Sequence, residues 1–401
     1  MKILNIIQRY PPSIGGSEIW CQRICRYFAK LGHKVTVLTL DVYKEEEYWF
    51  DPPIYNHIIE FGKIEYDEGV KVIRCRRNKI HPLLFRLFEA INKSFKIYLY
   101  GPHSIELFFR IIREVMRVDV VHLHTIPYPH NILGFFIAKL FRKKVVITPH
   151  FHIGHVLYET KANFYLMRRC DAVFAVNDYE RKHLIQKIDP KKVHVAYNTV
   201  DPSEYKTKDI DVFKKEVFDK YGISSEHKII IFLGRKIEYK KVDTLVEAVR
   251  ALKKDIKVKL FLVGPNFPWY EGYCVHLPEE DKRDIIDFGI VTNQEKAKLL
   301  RVSDVLVLPS KFEAFGIVFL EAWASGLPVI GVDTPTVAKV IDKGGLLFNY
   351  GDSNDLRDKL FDVLSNGLGK KLADKGKEQL ENNYIIDKVG SKMLGVYEEV
   401  L

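Results

Sequence analysis

The sequence predicts an α/β protein built as two Rossmann-like, doubly wound domains facing a central cleft, and three observations carry that expectation. Short β-branched runs alternate with amphipathic windows from the first residues to about 196, the pattern of parallel strands joined by helical crossovers. A polar stretch at 198–208, containing Pro202, interrupts the alternation. The alternation then restarts and continues to the C-terminus, and 401 residues suffice for two separate cores.

In chain order, 2–7 reads as the first strand. Its apolar run is short and broken by Gln8 and Arg9, so it does not resemble a leader. A helix is expected at 17–31, with Ser17 as N-cap and Gly32 at the C′ position. Strands are expected at 34–40, 70–75, 119–124, 144–148, 172–176 and 193–196. Helices are expected at 82–98, 104–117, 129–141 and 179–187. Beyond the polar stretch, helices are expected at 212–221, 241–253, 294–301 and 318–324. The matching strands fall at 228–233, 258–263, 284–288, 305–308, 328–331 and 346–348. Domain limits of 1–200 and 201–385 follow, with a last helix at 386–401 packing back toward the first domain.

Hydrophobic content of 47% and charged content of 28% are those of a water-exposed globular chain. No window is long and apolar enough to predict a spanning helix. The five cysteines are scattered, and Cys21 with Cys25 reads as a buried pair on one helix face. That usage fits a reducing, cytoplasmic setting. The net charge of +10 is uneven: residues 1–200 hold 31 basic and 19 acidic side chains, residues 201–401 hold 31 and 33. Residues 71–117 alone carry 11 basic against 3 acidic, interleaved with large apolar side chains. No nucleic-acid recognition motif accompanies this charge.

Four segments carry candidate chemistry. Leu308 to Gly331 reads as a strand end, a tight loop and a helix start, with Glu313 and Glu321 eight residues apart around Phe315, Gly316 and Ile317. A helix start offers unpaired N–H groups to a phosphate, and a carboxylate further along can take ribose hydroxyls. Paired carboxylates also occur as a hydrolytic acid and nucleophile, a reading the loop-then-helix setting disfavours. Arg235 and Lys240 straddle a strand-to-helix loop, a fork and a point charge suited to a pyrophosphate. Gly15 and Gly16 open a helix where a backbone can approach a ligand. His150 follows a parallel strand, where it can hydrogen-bond a sugar hydroxyl. His152 and His155 nearby suggest a metal site weakly, and His122 and His124 suit packing roles. Asp209-Ile210-Asp211, the sole Asp-x-Asp, sits at a helix start and reads as a cap.

These segments together resemble the GT-B-fold retaining glycosyltransferases of family 4. The resemblance spans nearly the whole chain. It includes the early Pro-x-x-Gly-Gly-x-Glu loop, Asp119-Val-Val-His-Leu-His124, Thr148-Pro-His150, Asn198, Gly234-Arg235 with Lys240, and the Glu–x7–Glu segment. It implies that Arg235 and Lys240 hold the donor diphosphate and that Glu313 meets the donor sugar. The backbone of Phe315, Gly316 and Ile317 would meet the phosphates, and Glu321 the ribose. His150 would lie over the sugar, with Gly15 and Gly16 approaching from the first domain. The first domain would then bind the acceptor, and the second the nucleotide-sugar donor.

Three departures from the family pattern stand out. Thr199 follows Asn198 where Gly is usual, Lys241 follows the phosphate lysine, and Val332-Asp333-Thr334-Pro335-Thr336 replaces a Gly-Gly-x-Pro-Glu turn.

The resemblance further implies a hexose-type transfer with retention. No metal or other cofactor is expected, because basic side chains can oppose the leaving charge. The acceptor class that fits the basic first half is a lipid-linked glycan or polysaccharide precursor. The 82–117 segment would then rest on an anionic membrane, making a cytoplasmic protein peripheral to it. A sugar-nucleotide epimerase and a non-catalytic nucleotide-sugar-binding protein are the alternatives.

Overall fold

The computed structural model describes residues 1–13, 15–42, 64–76, 104–313 and 315–401. The chain divides into two compact units, one of residues 1–198 with 386–401, the other of residues 199–385.

The first unit holds strands β1 (Lys2–Ile6), β2 (Lys34–Leu40), β3 (Ile64–Asp67), β4 (Val70–Cys75), β5 (Val120–His124), β6 (Lys144–Thr148), β7 (Ala172–Ala175) and β8 (Val193–Val195). They form one sheet in the order 3-4-2-1-5-6-7-8. β3 pairs antiparallel with β4, and the other pairings are parallel. The inner strands read as near-continuous apolar runs because helices cover both faces. β1 from Ile3 to Ile6 is fully buried.

The helices of this unit are α1 (Gly16–Lys30), α2 (Ile105–Val115), α3 (Pro129–Leu140), α4 (Lys161–Arg169) and α5 (Asp178–Leu184), with the C-terminal Ile386–Val400. That last helix is sewn into the unit: Tyr397 is fully buried and its hydroxyl lies 2.6 Å from His122 Nδ1.

The second unit holds β9 (Lys228–Leu233), β10 (Val258–Val263), β11 (Ile285–Gly289), β12 (Val305–Leu308), β13 (Val329–Val332) and β14 (Gly345–Phe348), ordered 11-10-9-12-13-14 and wholly parallel. Its helices are α6 (Ile210–Lys220), α7 (Val242–Leu252), α8 (Pro268–Val275), α9 (Glu279–Lys282), α10 (Asn293–Arg301), α11 (Ile317–Ala324), α12 (Pro335–Ile341), α13 (Ser353–Ser365) and α14 (Leu368–Gln379). Both units are therefore parallel-sheet, Rossmann-like layers.

Several local expectations are corrected. Ser17 is not the cap of α1: Gly15 is, and the Ser17 hydroxyl donates instead to Glu18 Oε2 at 2.8 Å. Asp209 precedes α6 in a left-handed conformation, and its side chain makes no cap hydrogen bond. In α2, Leu107, Ile111 and Val115 point inward, while Phe108 joins Ile105, Phe109 and Met116 on the exposed side. The 3.6-residue period places 107, 111 and 115 on one stripe, and Ser104 caps the helix by accepting from Leu107 N–H at 3.1 Å.

The polar stretch at 198–208 is anchored. Thr199 and Tyr205 are buried, and the Thr199 hydroxyl donates to the Tyr384 carbonyl at 2.6 Å. Pro335, read as part of a departing turn, begins α12, with Thr334 as its cap. The β3 edge and helices α4, α8, α9 and α12 were not expected. The helix expected at 82–98 lies outside the described residues.

Candidate active site

In an open parallel sheet, ligands bind beyond the carboxyl ends of the strands, where the strand order reverses. In the second unit that point is β9, which has β10 on one side and β12 on the other. The loop leaving β9 carries Arg235 and Lys240, and the loop leaving β12 carries Glu313. The fold brings Lys240 and Glu313 into a direct ion pair, both side chains largely shielded from solvent. Arg235 sits on the same loop, and its guanidinium donates to the Tyr239 hydroxyl at 3.1 Å.

Beyond Glu313 the chain turns sharply into α11. Gly316 caps that helix at φ +85°, and a Cβ there would fall 2.6 Å from the Phe319 ring. Both the left-handed backbone and the close ring demand glycine. Phe315 is buried against Tyr384, which pins the turn from the other side. Glu321 lies in the second turn of α11 and is 3% exposed. Its carboxylate is held by Lys296 of α10, Nζ to Oε1 2.8 Å. The Ser310 hydroxyl, fully buried before Glu313, has no hydrogen-bond partner among the described residues.

In the first unit the order reverses at β1, between β2 and β5. The loop after β1 leads to Gly15 and Gly16 at the start of α1. Gly15 is extended, so its conformation does not require glycine. A Cβ at Gly15 would lie 2.1 Å from Glu18 Oε2, so a side chain there would displace that carboxylate. The Glu18 carboxylate is buried there and accepts from Arg9 Nε at 2.9 Å and from Gln8 Nε2 at 3.3 Å.

His150 follows the end of β6. It is a non-glycine residue at φ +47° and is 7% exposed. The Trp20 ring meets it edge-on at 5.4 Å. Burial, with a smaller contribution from His152, pushes the His150 pKa down to about 3, so the imidazole is neutral at pH 7. Its Nε2 is buried with no hydrogen-bond partner among the described residues. A strained backbone presenting an unsatisfied polar atom points to function. His122 and His124 are interior: His122 Nε2 lies 2.8 Å from Thr148 Oγ1, and His124 Nε2 lies 2.9 Å from Asn5 Oδ1. Among the described residues no three His, Cys, Asp or Glu side chains stand close enough to hold a metal ion, so His150, His152 and His155 do not form a ligand set.

Sequence reasoning missed four supporting residues. Lys296 and Glu18 are the partners just described. Lys236, read as part of a basic turn, is fully buried: its ammonium donates to the Gly264 carbonyl (2.6 Å), Asn266 Oδ1 (2.8 Å) and Asp287 Oδ1 (2.7 Å). Asn266 and Asp287 line a cavity of about 390 Å³ with Tyr270, Cys274 and Leu277. The fourth is Glu180, 1% exposed, whose carboxylate accepts from Phe151 N–H at 3.0 Å and Val176 N–H at 2.7 Å. The Lys296 and Lys236 partners lie 25 to 51 residues away, beyond any local pattern. Only Glu18, within the Gly-Gly-x-Glu loop, carried a sequence signal.

Comparison with known proteins gives the family and the fold. A family model described as glycosyl transferases group 1 matches residues 213–382, and one described as Glycosyltransferase Family 4 matches residues 14–204. The chain is 26% identical to an N-acetyl-alpha-D-glucosaminyl L-malate synthase of Bacillus anthracis, covering 97% of this chain and 95% of the relative. It is 22% identical to a GDP-mannose:cellobiosyl-diphosphopolyprenol alpha-mannosyltransferase of Xanthomonas oryzae, covering 86% and 82%. Among solved structures it resembles Anabaena HepE in complex with UDP and glucose, with TM-score 0.73, 16% identity and full coverage of both chains.

Proposed function

We propose a reaction for this chain, which belongs to the group 1 glycosyltransferases of family 4 type, has their GT-B fold and uses a nucleotide-sugar donor: transfer of a hexose-type sugar with retention of anomeric configuration and without a metal ion. The observation that carries this reading is the Lys240–Glu313 pair at the β9/β12 reversal, eight residues before a carboxylate fixed by Lys296.

In this reading the diphosphate lies at Arg235, Lys240 and the Gly316–Ile317 amides. Lys240 then shares its charge between Glu313 and a phosphate oxygen, and Glu313 accepts from donor-sugar hydroxyls. Glu321 takes the ribose. As the bond from the anomeric carbon to the phosphate oxygen breaks, negative charge grows on the diphosphate, opposite fixed cations. Each such preorganised group contributes about 3–4 kcal/mol. The acceptor oxygen bonds to the anomeric carbon on the same face, and its proton passes to the leaving phosphate oxygen. His150, neutral and carrying an unsatisfied Nε2, is suited to a sugar hydroxyl rather than to a charge.

The first unit would supply the acceptor, a lipid-linked precursor glycan met at an anionic membrane. Support comes from α2 and α3, which pack on each other. Phe109 (63% exposed) and Leu140 (77%) stand out from them beside Arg113, Arg117 and Arg142. Apolar side chains among exposed cations suit a headgroup layer. Among the described residues no helix is long and apolar enough to cross a membrane. The epimerase alternative finds no support in either family model.

The test is direct. Thermal-shift screening against UDP-glucose, GDP-mannose and ADP-glucose should identify a donor. NMR of the product should show the donor's anomeric configuration, and EDTA should leave turnover unchanged. An inverted product, or strict dependence on an added divalent ion, contradicts the corresponding part of the reading. Replacing Arg113, Arg117 and Arg142 by Gln should weaken sedimentation with phosphatidylglycerol vesicles, and unchanged binding removes the membrane argument.

A further inference from the structure

We propose that Glu180 is a positioning residue that holds His150 in its working conformation, by tying together the ends of two neighbouring strands. The inference rests on the assignment of His150 to the donor sugar. β6 and β7 are parallel neighbours, with Val146 opposite Ala172 and Ile147 opposite Val173. His150 lies two residues beyond the end of β6, and Val176 one residue beyond the end of β7. The backbone at His150 is left-handed, a conformation that strains a residue bearing a Cβ. Something must hold it.

The Glu180 carboxylate is placed to do so. One oxygen accepts from the N–H of Phe151, the residue directly after His150, at 3.0 Å. The other accepts from Val176 N–H at 2.7 Å. Glu180 itself stands in the first turn of α5, where Asn177 caps the helix by accepting from Glu180 N–H at 2.7 Å. One buried side chain thus fixes the loop carrying His150 to the start of the next helix. A carboxylate suits the task because it offers two acceptors to two converging N–H groups. Burying it is costly, and its pKa is raised to about 7 by that burial, with the two backbone N–H groups opposing. Trp20 stands edge-on to the same imidazole: packing sets the ring, Glu180 sets the backbone.

Replacing Glu180 by Gln leaves one acceptor for two N–H groups and points an NH2 at the other. The expected result is a 10- to 100-fold fall in kcat, with donor KM changed less than about threefold. The readout is release of nucleoside diphosphate from whichever of UDP-glucose, GDP-mannose and ADP-glucose the wild-type protein turns over. The deciding measurement is the double variant. In a His150→Ala background, Glu180→Gln should cause little further loss, because the group it positions is gone. An equal loss in both backgrounds means a general structural role and overturns the proposal, as does wild-type kcat in Glu180→Gln alone. If His150→Ala itself turns over normally, the His150 assignment fails first, and that result is distinguishable from the others. Should Glu180→Gln not fold, Glu180→Asp, one methylene shorter and able to span only one N–H, is read in the same way.

Discussion

Each unit carries its own candidate site, reached by the same route, and the two are furnished with opposite materials. Each places its residues beyond the carboxyl ends of a parallel sheet where the strand order reverses. In the second unit the furnishing is ionic: Lys240 with Glu313, Lys296 with Glu321, Lys236 with Asp287. In the first unit it is aromatic around β5 and β6: His150 and His122, both held neutral by burial, stand with His124 against Trp20, all buried. The difference teaches which chemical group each kind of furnishing suits. A diphosphate needs fixed cations and oriented carboxylates. A sugar needs shape and hydrogen bonds that carry no net charge.

That contrast can be broken most severely at the ionic site. Lys240→Ala should lower kcat/KM by about 10³, and Glu313→Ala by a similar factor, with circular dichroism unchanged. Turnover close to wild type in both would remove the site. At the neutral site His150→Ala should cost less, about 10², because one hydrogen bond to a neutral group is lost rather than a counter-charge. A loss larger than that of Lys240→Ala would reverse the assignment of materials to roles. Lys296→Met should act on binding alone, raising donor KM about tenfold at constant kcat, since it loosens the carboxylate given to the ribose and touches no reacting atom. A selective fall in kcat would place Lys296 nearer the chemistry.

The smallest effect separates the units by pH. In the first unit His150 is lowered to about 3, His130 to about 4 and His122 well below its ordinary value, each chiefly by burial. Groups with depressed folded pKa values contribute stability above pH 6.5 that is lost as pH falls toward 3–4. Glu180, raised to about 7, works the other way: its contribution is full below about 4.5 and lost as pH rises through 7. Three imidazoles outweigh one carboxyl, so melting followed by Trp20 fluorescence should drop between pH 6.5 and 4. In Glu180→Gln the drop should steepen, because the opposing group is gone. A melting temperature constant over that range would contradict the buried, neutral histidines.

The fold class and the loop-to-helix turn at Gly316 were legible for a shared reason. A parallel sheet buried on both faces writes itself as repeated apolar runs, and a turn that enters a helix through a left-handed residue needs Gly316 at one fixed place. What was not legible is what holds those groups. Lys296 and Lys236 look like ordinary exposed lysines until the sheet brings Glu321 and Asp287 beside them. In α2, Phe108, Ile112 and Val115 share one helical stripe and Leu107, Ile111 and Val115 another; spacing alone does not choose, and the core takes the second. Glu180 sits among polar helix residues with no local sign of burial.

The path of the chain through the two units has one more consequence. Residues 199–385 leave and re-enter at a single point, where Val200 bridges Ile385 and Val200 N–H donates to the Tyr384 carbonyl at 3.3 Å. The second unit is thus a closed loop of chain spliced into the first, with its two ends stitched together by its own backbone. Cut at that seam, it is a cassette whose two ends already lie side by side, which makes it a natural unit to excise or exchange. The first unit would be rejoined from Asn198 to Ile386 by a short linker, keeping Tyr397 at His122.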